Sequence, residues 1–254
     1  MPRKNAELIE GDCLEVLDTL YAKRGAFVDF IFCDPPYHLS NGGFTCQNGK
    51  MVSVDKGKWD QSSGFENNLA FNLSWIERCR NVLKPHGSMM VSGTLHSIYS
   101  IGFAMQSVGM KFLNNITWQK PNPPPNLSCR YLTHSTETII WAAKELTSKH
   151  KFNYQLMKEI NGGKQMKDVW TMTAPGKSEK SFGKHPTQKP LSLLTQLILA
   201  STDQGDTVLD AFNGSGTTGV AAIETKRKYV GIELDPSYVA LSNKRFSDAK
   251  RRIK

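Results

Sequence analysis

An apolar strand followed by a glycine turn and a helix is the feature that most limits how this chain can fold. Residues 207–213 read Thr-Val-Leu-Asp-Ala-Phe-Asn, and Gly214, Gly216 and Gly219 then complete a G-x-G-x-x-G pattern. Such glycines let the backbone approach a ligand or a neighbouring element where a Cβ would clash. Glu233 follows Gly214 by 19 residues, close to the spacing at which a carboxylate binds ribose hydroxyls. The pattern predicts a site for a ribose-bearing cofactor; the alternative is a helix-start turn without a ligand.

The position of this pattern in the chain limits the cofactor further. A dinucleotide fold needs a second mononucleotide-binding half, but only 21 residues follow Glu233, so a single nucleoside ligand is favoured. Elsewhere, short apolar runs alternate with helix-period segments, which is typical of an α/β sheet wound in one domain. The predicted strands are 27–33, 88–92, 113–118, 138–142, 207–212 and 229–233, and the predicted helices are 73–83, 98–108, 191–201 and 217–225.

Composition limits the class of protein and of partner. The 254 residues carry a formal charge of +9, which favours a polyanionic partner such as nucleic acid. No apolar run reaches the roughly 20 residues that a membrane span needs, and we expect a cytoplasmic protein without a membrane partner. The five cysteines form no C-x-x-C pair and the six histidines are scattered, so we expect reduced thiols and no metal site.

A second candidate site ends the first predicted strand. Asp34-Pro35-Pro36-Tyr37 places a carboxylate, two prolines and an aromatic ring where α/β sheets bind ligands. Two successive prolines remove two N–H donors and fix two φ angles, so the carbonyls there are rigid acceptors. A carboxylate with a carbonyl suits an amino group that has two hydrogens, and Tyr37 offers a flat face to a planar ring. The alternative is an acid and a turn that simply end the strand.

Together, Asp34-Pro35-Pro36-Tyr37 and Phe212-x-Gly214-x-Gly216 resemble the amino-group DNA methyltransferases. The tetrapeptide comes first and the glycines come last, which is similar to the β class, as is Lys-His-Pro-Thr-Gln-Lys-Pro at 184–190. The resemblance extends from Gly11 to about Tyr238. Segments 38–43, 52–57 and 123–131 resemble, within that class, the adenine methyltransferases of GATC-type restriction–modification systems.

The resemblance implies one catalytic domain, 1–254, with a Rossmann-like methyltransferase fold. This fold has a mostly parallel sheet with helices on both faces and the circularly permuted motif order of the β class. It also implies transfer of a methyl group from S-adenosylmethionine to the N6 amino group of adenine in DNA, without a metal. A cognate restriction endonuclease would be the functional partner, and a homodimer is one expected oligomeric state.

The chemistry expected of the tetrapeptide follows from the poor nucleophilicity of adenine N6, whose lone pair is delocalised into the ring. Acceptance of its hydrogens by Asp34 and the Pro35 carbonyl would aim the lone pair at the methyl group, and the carboxylate would stabilise the developing positive charge. The base must also leave the duplex. Tyr37 is the first candidate to stack on the flipped base, and Trp118 is a second, although Trp118 could equally be a strand aromatic that packs in the core.

The family resemblance also assigns the other site residues. Asp12 would accept from the cofactor adenine, although it could simply cap a helix; Glu233 would bind the ribose, and Asp210 and the turn would line the methionine part. The expected cofactor residues are thus Asp12, Asp34, Lys189, Asp210, Phe212, Gly214, Gly216, Thr217 and Glu233.

Two long polar stretches interrupt the α/β pattern, and we expect 39–68 to be a covering loop and 146–183 a target-recognition insertion. The candidate DNA contacts are Arg130, Trp118, Lys164 and Lys167.

Three alternatives remain open from the sequence. The N4 amino group of cytosine could be the acceptor in the same geometry, although an aspartate at position 34 resembles the adenine enzymes. A non-catalytic nucleic-acid-binding protein could retain a cofactor-type fold. RNA or a small molecule could replace DNA, and single-stranded and duplex DNA are not distinguished.

Overall fold

The computed structural model describes residues 6–37, 44–47, 50–53, 60 and 62–253, and for 44–47 and 50–53 it describes the backbone only. Segment 38–43 lies outside the described residues, as do 48–49, 54–59 and 61 of the expected covering loop 39–68. The strands are β1 (Ala6–Glu10), β2 (Val28–Cys33), β3 (Phe44–Gln47), β4 (Lys50–Ser53), β5 (Leu83–Gly93), β6 (Lys111–Gln119), β7 (Thr136–Ala143), β8 (Val169–Thr171), β9 (Thr207–Asp210) and β10 (Lys228–Glu233).

Eight of these strands form one sheet in the order β1-β10-β9-β2-β5-β7-β6-β8. Neighbouring strands run parallel except at β7, which is antiparallel to both β5 and β6. Strands β3 and β4 form a separate antiparallel hairpin. Because β2, β9 and β10 are parallel neighbours, the residues after them meet at one edge of the sheet, although they are far apart in sequence.

The helices are α1 (Cys13–Arg24), α2 (Phe65–Val82), α3 (Ile98–Ser107), α4 (Tyr154–Ile160), α5 (Leu191–Ser201), α6 (Thr217–Glu224) and α7 (Pro236–Arg252). On one face of the sheet, α1, α2 and α3 bury a core that includes Ile31 and Cys33 of β2. On the other face, α5, α6 and α7 pack against Phe30 and Phe32 of the same strand. Alternate side chains of β2 thus enter two cores, which explains the apolar run from Phe30 to Cys33. The predicted α/β sheet with helices on both faces is confirmed.

The stretch 146–183, expected to be a target-recognition insertion, contains a helix and a strand that the sequence did not predict. Within it, α4 packs against α5 and β8 pairs with β6, which extends the central sheet. Met157 and Trp170 are buried there, and the Asn153 side-chain amide donates to the carbonyls of Leu199 and Thr202. The first part of this stretch therefore belongs to the folded core. None of the helices in the described part of the chain is long and apolar enough to span a membrane.

Candidate active site

The glycine turn lies between β9 and α6, at the carboxyl edge of the sheet. Gly214 and Gly216 have φ angles of +50° and +74°, in the left-handed region that favours glycine. The Gly214 N–H donates to Glu233 Oε2 at 2.6 Å, and the Asp235 N–H donates to Glu233 Oε1 at 2.9 Å. Glu233 thus binds the turn after β9 to the end of β10. Each of its oxygens keeps a further lone pair for a hydroxyl group.

A cavity of about 770 Å³ opens beside this turn, and we call it the turn cavity. Its wall brings together Asp12 before α1, Asp34 after β2, Asp210 and Glu233, which are four carboxylates from four strand ends. Of the residues expected to bind the cofactor, the turn cavity is lined by Asp12, Asp34, Lys189, Asp210, Phe212, Gly214, Thr217 and Glu233. Asp12 also caps α1, because its carboxylate accepts from the Leu14 N–H at 2.8 Å.

Gly216 is the exception, and its surroundings fit the other possibility that the pattern allowed, close approach to a neighbouring element. It does not line the turn cavity; a Cβ at this position would lie 2.7 Å from Ser242 Oγ and 2.9 Å from Phe246 Cε1 of α7. A Cβ at Gly219 would lie 2.4 Å from the ring of Phe246. These two glycines are therefore needed for the close packing of α6 and its preceding turn against α7, and Gly214 alone of the three faces the cavity.

Burial sets the charge of the carboxylates in the turn cavity. Burial raises the pKa of Asp210 to about 7, although the Thr218 hydroxyl and the Phe212 N–H donate to its carboxylate and oppose the change. Burial also raises the pKa of Glu233, against the hydrogen bonds from Asp235 and Gly214. A cluster of partly desolvated carboxylates favours a ligand that carries a positive charge.

Asp34 follows β2, and its carboxylate accepts from donors on three other parts of the chain. Oδ1 accepts from the Tyr37 hydroxyl and from Ser92 Oγ of β5, both at 2.5 Å. Oδ2 accepts from Lys189 Nζ at 2.5 Å. Among the described residues, no donor reaches the Pro35 carbonyl, so its acceptor capacity is unused, although Pro35 is buried and does not line the turn cavity. The carboxylate and the carbonyl predicted to receive an amino group are both present at this strand end.

Lys189 connects Asp34 to two charged residues that the sequence interpretation missed. Lys189 Nζ lies 3.3 Å from Glu137 Oε2 on β7, and Lys120 Nζ lies 2.5 Å from Glu137 Oε1. Burial tends to raise the pKa of Glu137, but Lys189 and Lys120 outweigh it and hold that pKa at about 2. The only sequence signal for Glu137 was a carboxylate at the start of an otherwise apolar strand.

A second and larger cavity, of about 1320 Å³, opens on the other side of this charged group, and we call it the outer cavity. Tyr37, Glu137, Lys120 and Trp118 line its inner end, and the proline-rich segment after β6 lines its outer part. Residues 185 and 187–189 line both cavities. The tetrapeptide separates them, because Asp34 and Pro36 line the turn cavity and Tyr37 lines the outer cavity.

The expected DNA contacts are differently placed. Trp118 is 2% exposed and its indole N–H donates to the Met172 carbonyl, which fits the alternative of a core aromatic; because it also lines the inner end of the outer cavity, stacking on the base stays a prediction. Arg130 is exposed in a loop whose residues Ser128 and Tyr131 line the outer cavity. Lys164 and Lys167 are exposed between α4 and β8, outside the walls of both cavities. Among the described residues, no group of three or more His, Cys, Asp or Glu side chains could hold a metal ion.

Comparisons with known proteins agree with this geometry. The sequence model of the family described as DNA methylase matches residues 28–244. The Type II methyltransferase M2.DpnII of Streptococcus pneumoniae is 57% identical over 239 residues, which cover 94% of this chain and 88% of the relative. M2.LlaDCHI of Lactococcus lactis subsp. cremoris is 54% identical over 246 residues, covering 96% and 90%.

A solved structure of the M1.HpyAVI–SAM complex is similar with a TM-score of 0.73 and 28% identity, covering 94% of this chain and 98% of that one. The similarity to these proteins thus extends over both cavities and the tetrapeptide between them. The family match and the two relatives establish that this chain belongs to the N6/N4 DNA methylase family.

Proposed function

We propose that this chain transfers a methyl group from S-adenosylmethionine to the N6 amino group of adenine in DNA, at GATC sites. The observation that carries the proposal is the position of Asp34-Pro35-Pro36-Tyr37 in the wall between two cavities. One cavity suits a charged nucleoside and the other is open enough to admit a base. An amino group held at Asp34 from the outer cavity would face whatever occupies the turn cavity.

The turn cavity fits S-adenosylmethionine by its chemistry, and M1.HpyAVI was solved as a SAM complex. When bound, this cofactor supplies a methyl group activated by a positively charged sulfur. We propose that Glu233 binds the ribose hydroxyls, Asp12 binds the adenine amino group, and Phe212 packs against the nucleoside. Asp210, Gly214 and Thr217 would line the methionine part. The carboxylates of the wall favour the positive charge.

On the acceptor side, Asp34 and the Pro35 carbonyl would each accept one hydrogen of the adenine amino group. This draws the nitrogen towards tetrahedral geometry and makes its lone pair available. The carboxylate also stabilises the positive charge that develops on the nitrogen, an effect worth a few kcal/mol, or roughly 100- to 1000-fold in rate. Tyr37 would stack on the base, which requires its neighbours to move because its side chain is only 4% exposed.

DNA would cover the outer cavity, with the target base flipped out of the stack. We propose that Arg130, Lys164 and Lys167 contact the DNA backbone, and that 146–183 contributes to target recognition as an elaboration of the same single catalytic domain. Relationship to Type II methyltransferases supports a cognate restriction endonuclease as functional partner. Cytoplasmic location and a homodimer stay predictions from the sequence.

Adenine is favoured over cytosine by the aspartate at position 34 and by the resemblance to adenine methyltransferases of GATC-type systems. The test uses an unmethylated plasmid with GATC sites, treated with the protein and S-adenosylmethionine. Digestion by an endonuclease that N6-methylation at GATC blocks should stop, and nucleoside analysis should yield N6-methyladenine. N4-methylcytosine would favour the rival acceptor, methyladenine with unchanged digestion would exclude GATC, and no transferred methyl group on any DNA would exclude the activity.

A further inference from the structure

Lys189 is 6% exposed, and its ammonium group is almost entirely enclosed by the acidic and hydroxyl groups of the reaction centre. Its Nζ donates to Asp34 Oδ2 at 2.5 Å and to the Tyr37 hydroxyl at 2.9 Å, and lies 3.3 Å from Glu137 Oε2. Its side chain thus joins the segment before α5 to the ends of β2 and β7. These contacts lie at the boundary between the cavities, on the side of the amino acceptor.

The four charges of this group balance. Asp34 and Glu137 are the anions, and Lys189 and Lys120 are the cations. Burial tends to lower the pKa of Lys189, but Asp34 and Glu137 outweigh burial and raise it, so the ammonium form persists at neutral pH. Buried charges are tolerated when they are paired and hydrogen-bonded, and removal of one partner leaves the other uncompensated.

We propose that Lys189 and Glu137 are positioning residues for Asp34, and that Lys189 is not a cofactor ligand; this inference rests on the proposed methyl transfer. Asp34 Oδ1 already accepts two hydrogen bonds, and Oδ2 accepts one from Lys189. The lysine therefore fixes the rotation of the carboxylate and leaves one acceptor position on Oδ2 for the amino group. Glu137 shares the ammonium, so that Asp34 keeps more of its negative charge for the acceptor nitrogen.

Loss of the lysine charge would leave two carboxylates on one hydroxyl group. The Tyr37 hydroxyl lies 2.5 Å from Asp34 Oδ1 and 3.3 Å from Glu137 Oε2. The other charged groups that face this centre are Lys120, beside Glu137, and Asp210 of β9, which interacts electrostatically with Asp34. Asp60 accepts from the Tyr37 N–H. With Lys120 as the remaining cation, the carboxylate pair would bind a proton at a higher pH.

The test is the pH dependence of kcat in Lys189→Met, at saturating S-adenosylmethionine and DNA between about pH 5.5 and 9, with cofactor affinity measured by calorimetry. The acid limb should move upward by roughly one pH unit or more, because the active form needs the ionised carboxylate. Cofactor affinity should stay within a few-fold. In Lys189→Met/Glu137→Gln, one of the two carboxylates is gone, so the acid limb should return towards that of the wild type.

Two further variants serve as controls. Lys228→Met removes an exposed lysine at the start of β10 that lines neither cavity, and should leave the acid limb in place. Lys189→Arg keeps the charge and should keep the acid limb near that of the wild type. If Lys189→Met does not fold, Glu137→Gln alone should lower kcat at least tenfold without changing cofactor affinity.

The outcomes separate this inference from the proposed function. A wild-type protein that transfers no methyl group to DNA removes the function itself. An active wild type with an unmoved acid limb in Lys189→Met, or a tenfold or greater loss of cofactor affinity in that variant, overturns the positioning role. An unchanged kcat in Glu137→Gln overturns the role of Glu137.

Discussion

At the scale of single residues, the reaction centre depends on how Asp34 is surrounded. Its two oxygens accept from a tyrosine, a serine and a lysine, each contributed by a different segment or position. An uncharged amide of the same shape would turn one N–H towards these donors and lose the negative charge. The charge of Asp34 therefore serves to activate the acceptor amino group, whereas the glycine turn and Glu233 support binding of the cofactor.

Asp34→Asn should reduce methyl transfer by at least roughly 100- to 1000-fold, because the anionic acceptor is lost. Cofactor affinity should change no more than a few-fold, since most of the turn cavity remains. Single-turnover transfer of a labelled methyl group and calorimetry measure the two quantities. Asp18→Asn, at an exposed aspartate paired with Arg78, is the matched control and should transfer normally. A simultaneous loss of cofactor binding would mean that Asp34 belongs to the cofactor site.

The charge of the turn cavity depends on pH near neutrality because of Asp210. Its pKa rises from 3.8 to about 7 on folding, mainly through burial. The neutral form is therefore stabilised in the folded protein: this contribution is complete below pH 3.8 and is lost as the pH rises towards 7.

Asp210→Asn should therefore gain stability relative to wild type as the pH rises from 5 to 8, in the protein without cofactor. The upper limit of the gain between pH 5 and 8 is about 2.7 kcal/mol, since the folded pKa lies about two units above pH 5 and each unit is worth about 1.4 kcal/mol. Urea unfolding at both pH values measures it, and pH 5 is the internal control. A difference in unfolding free energy between variant and wild type that does not depend on pH would argue against a neutral Asp210.

At the scale of elements, α6 and α7 are closely packed because two glycines lack side chains where the helices meet. The sequence interpretation assigned Gly216 to the cofactor because its pattern resembled a nucleotide turn. The glycine pattern is the same whether the missing side chain makes room for a ligand or for a neighbouring phenylalanine. Only the position of α7 in the fold shows which of the two lies next to Gly216.

Gly219→Ala should destabilise the fold by about 1 to 3 kcal/mol, because its Cβ would meet the Phe246 ring and over-packing outweighs the better helix propensity of alanine. Urea unfolding measures the loss. Gly176→Ala is the control, since its nearest neighbour atom, Ser178 Oγ, lies 3.9 Å away. Phe246→Leu should recover part of the loss in the Gly219→Ala background. Wild-type stability in Gly219→Ala would contradict the close packing.

The same scale shows which elements a sequence can reveal. β2, β9 and β10 are buried on both faces, so their apolar runs were predicted within a few residues. β8 has three residues and α4 has seven, in a lysine-rich stretch that buries few apolar side chains. β1 is an edge strand with two glutamates in five residues. Hydrogen bonding of β1 and β8 to neighbouring strands, and packing of α4 against α5, make these segments regular, rather than their local hydrophobicity.

At the scale of the whole molecule, the sheet order determines what could be foreseen of the site. Asp34 and the glycine turn belong to local patterns, and their position at carboxyl ends of strands already implied that they meet. The Lys189–Glu137 partnership has no local pattern. It exists because β7 lies beside β5, and β5 beside β2, which brings Glu137 close to the tetrapeptide.

The hydrogen bond between Lys189 and Asp34 spans 155 residues. During translation, at roughly 5–20 residues per second, the ribosome therefore releases the lysine about 8 to 30 seconds after the aspartate. The turn that contacts Glu233 is complete later still. A partly synthesised polypeptide that lacks Lys189 or Glu233 has no finished reaction centre, so methyl transfer can begin only after both residues have left the ribosome.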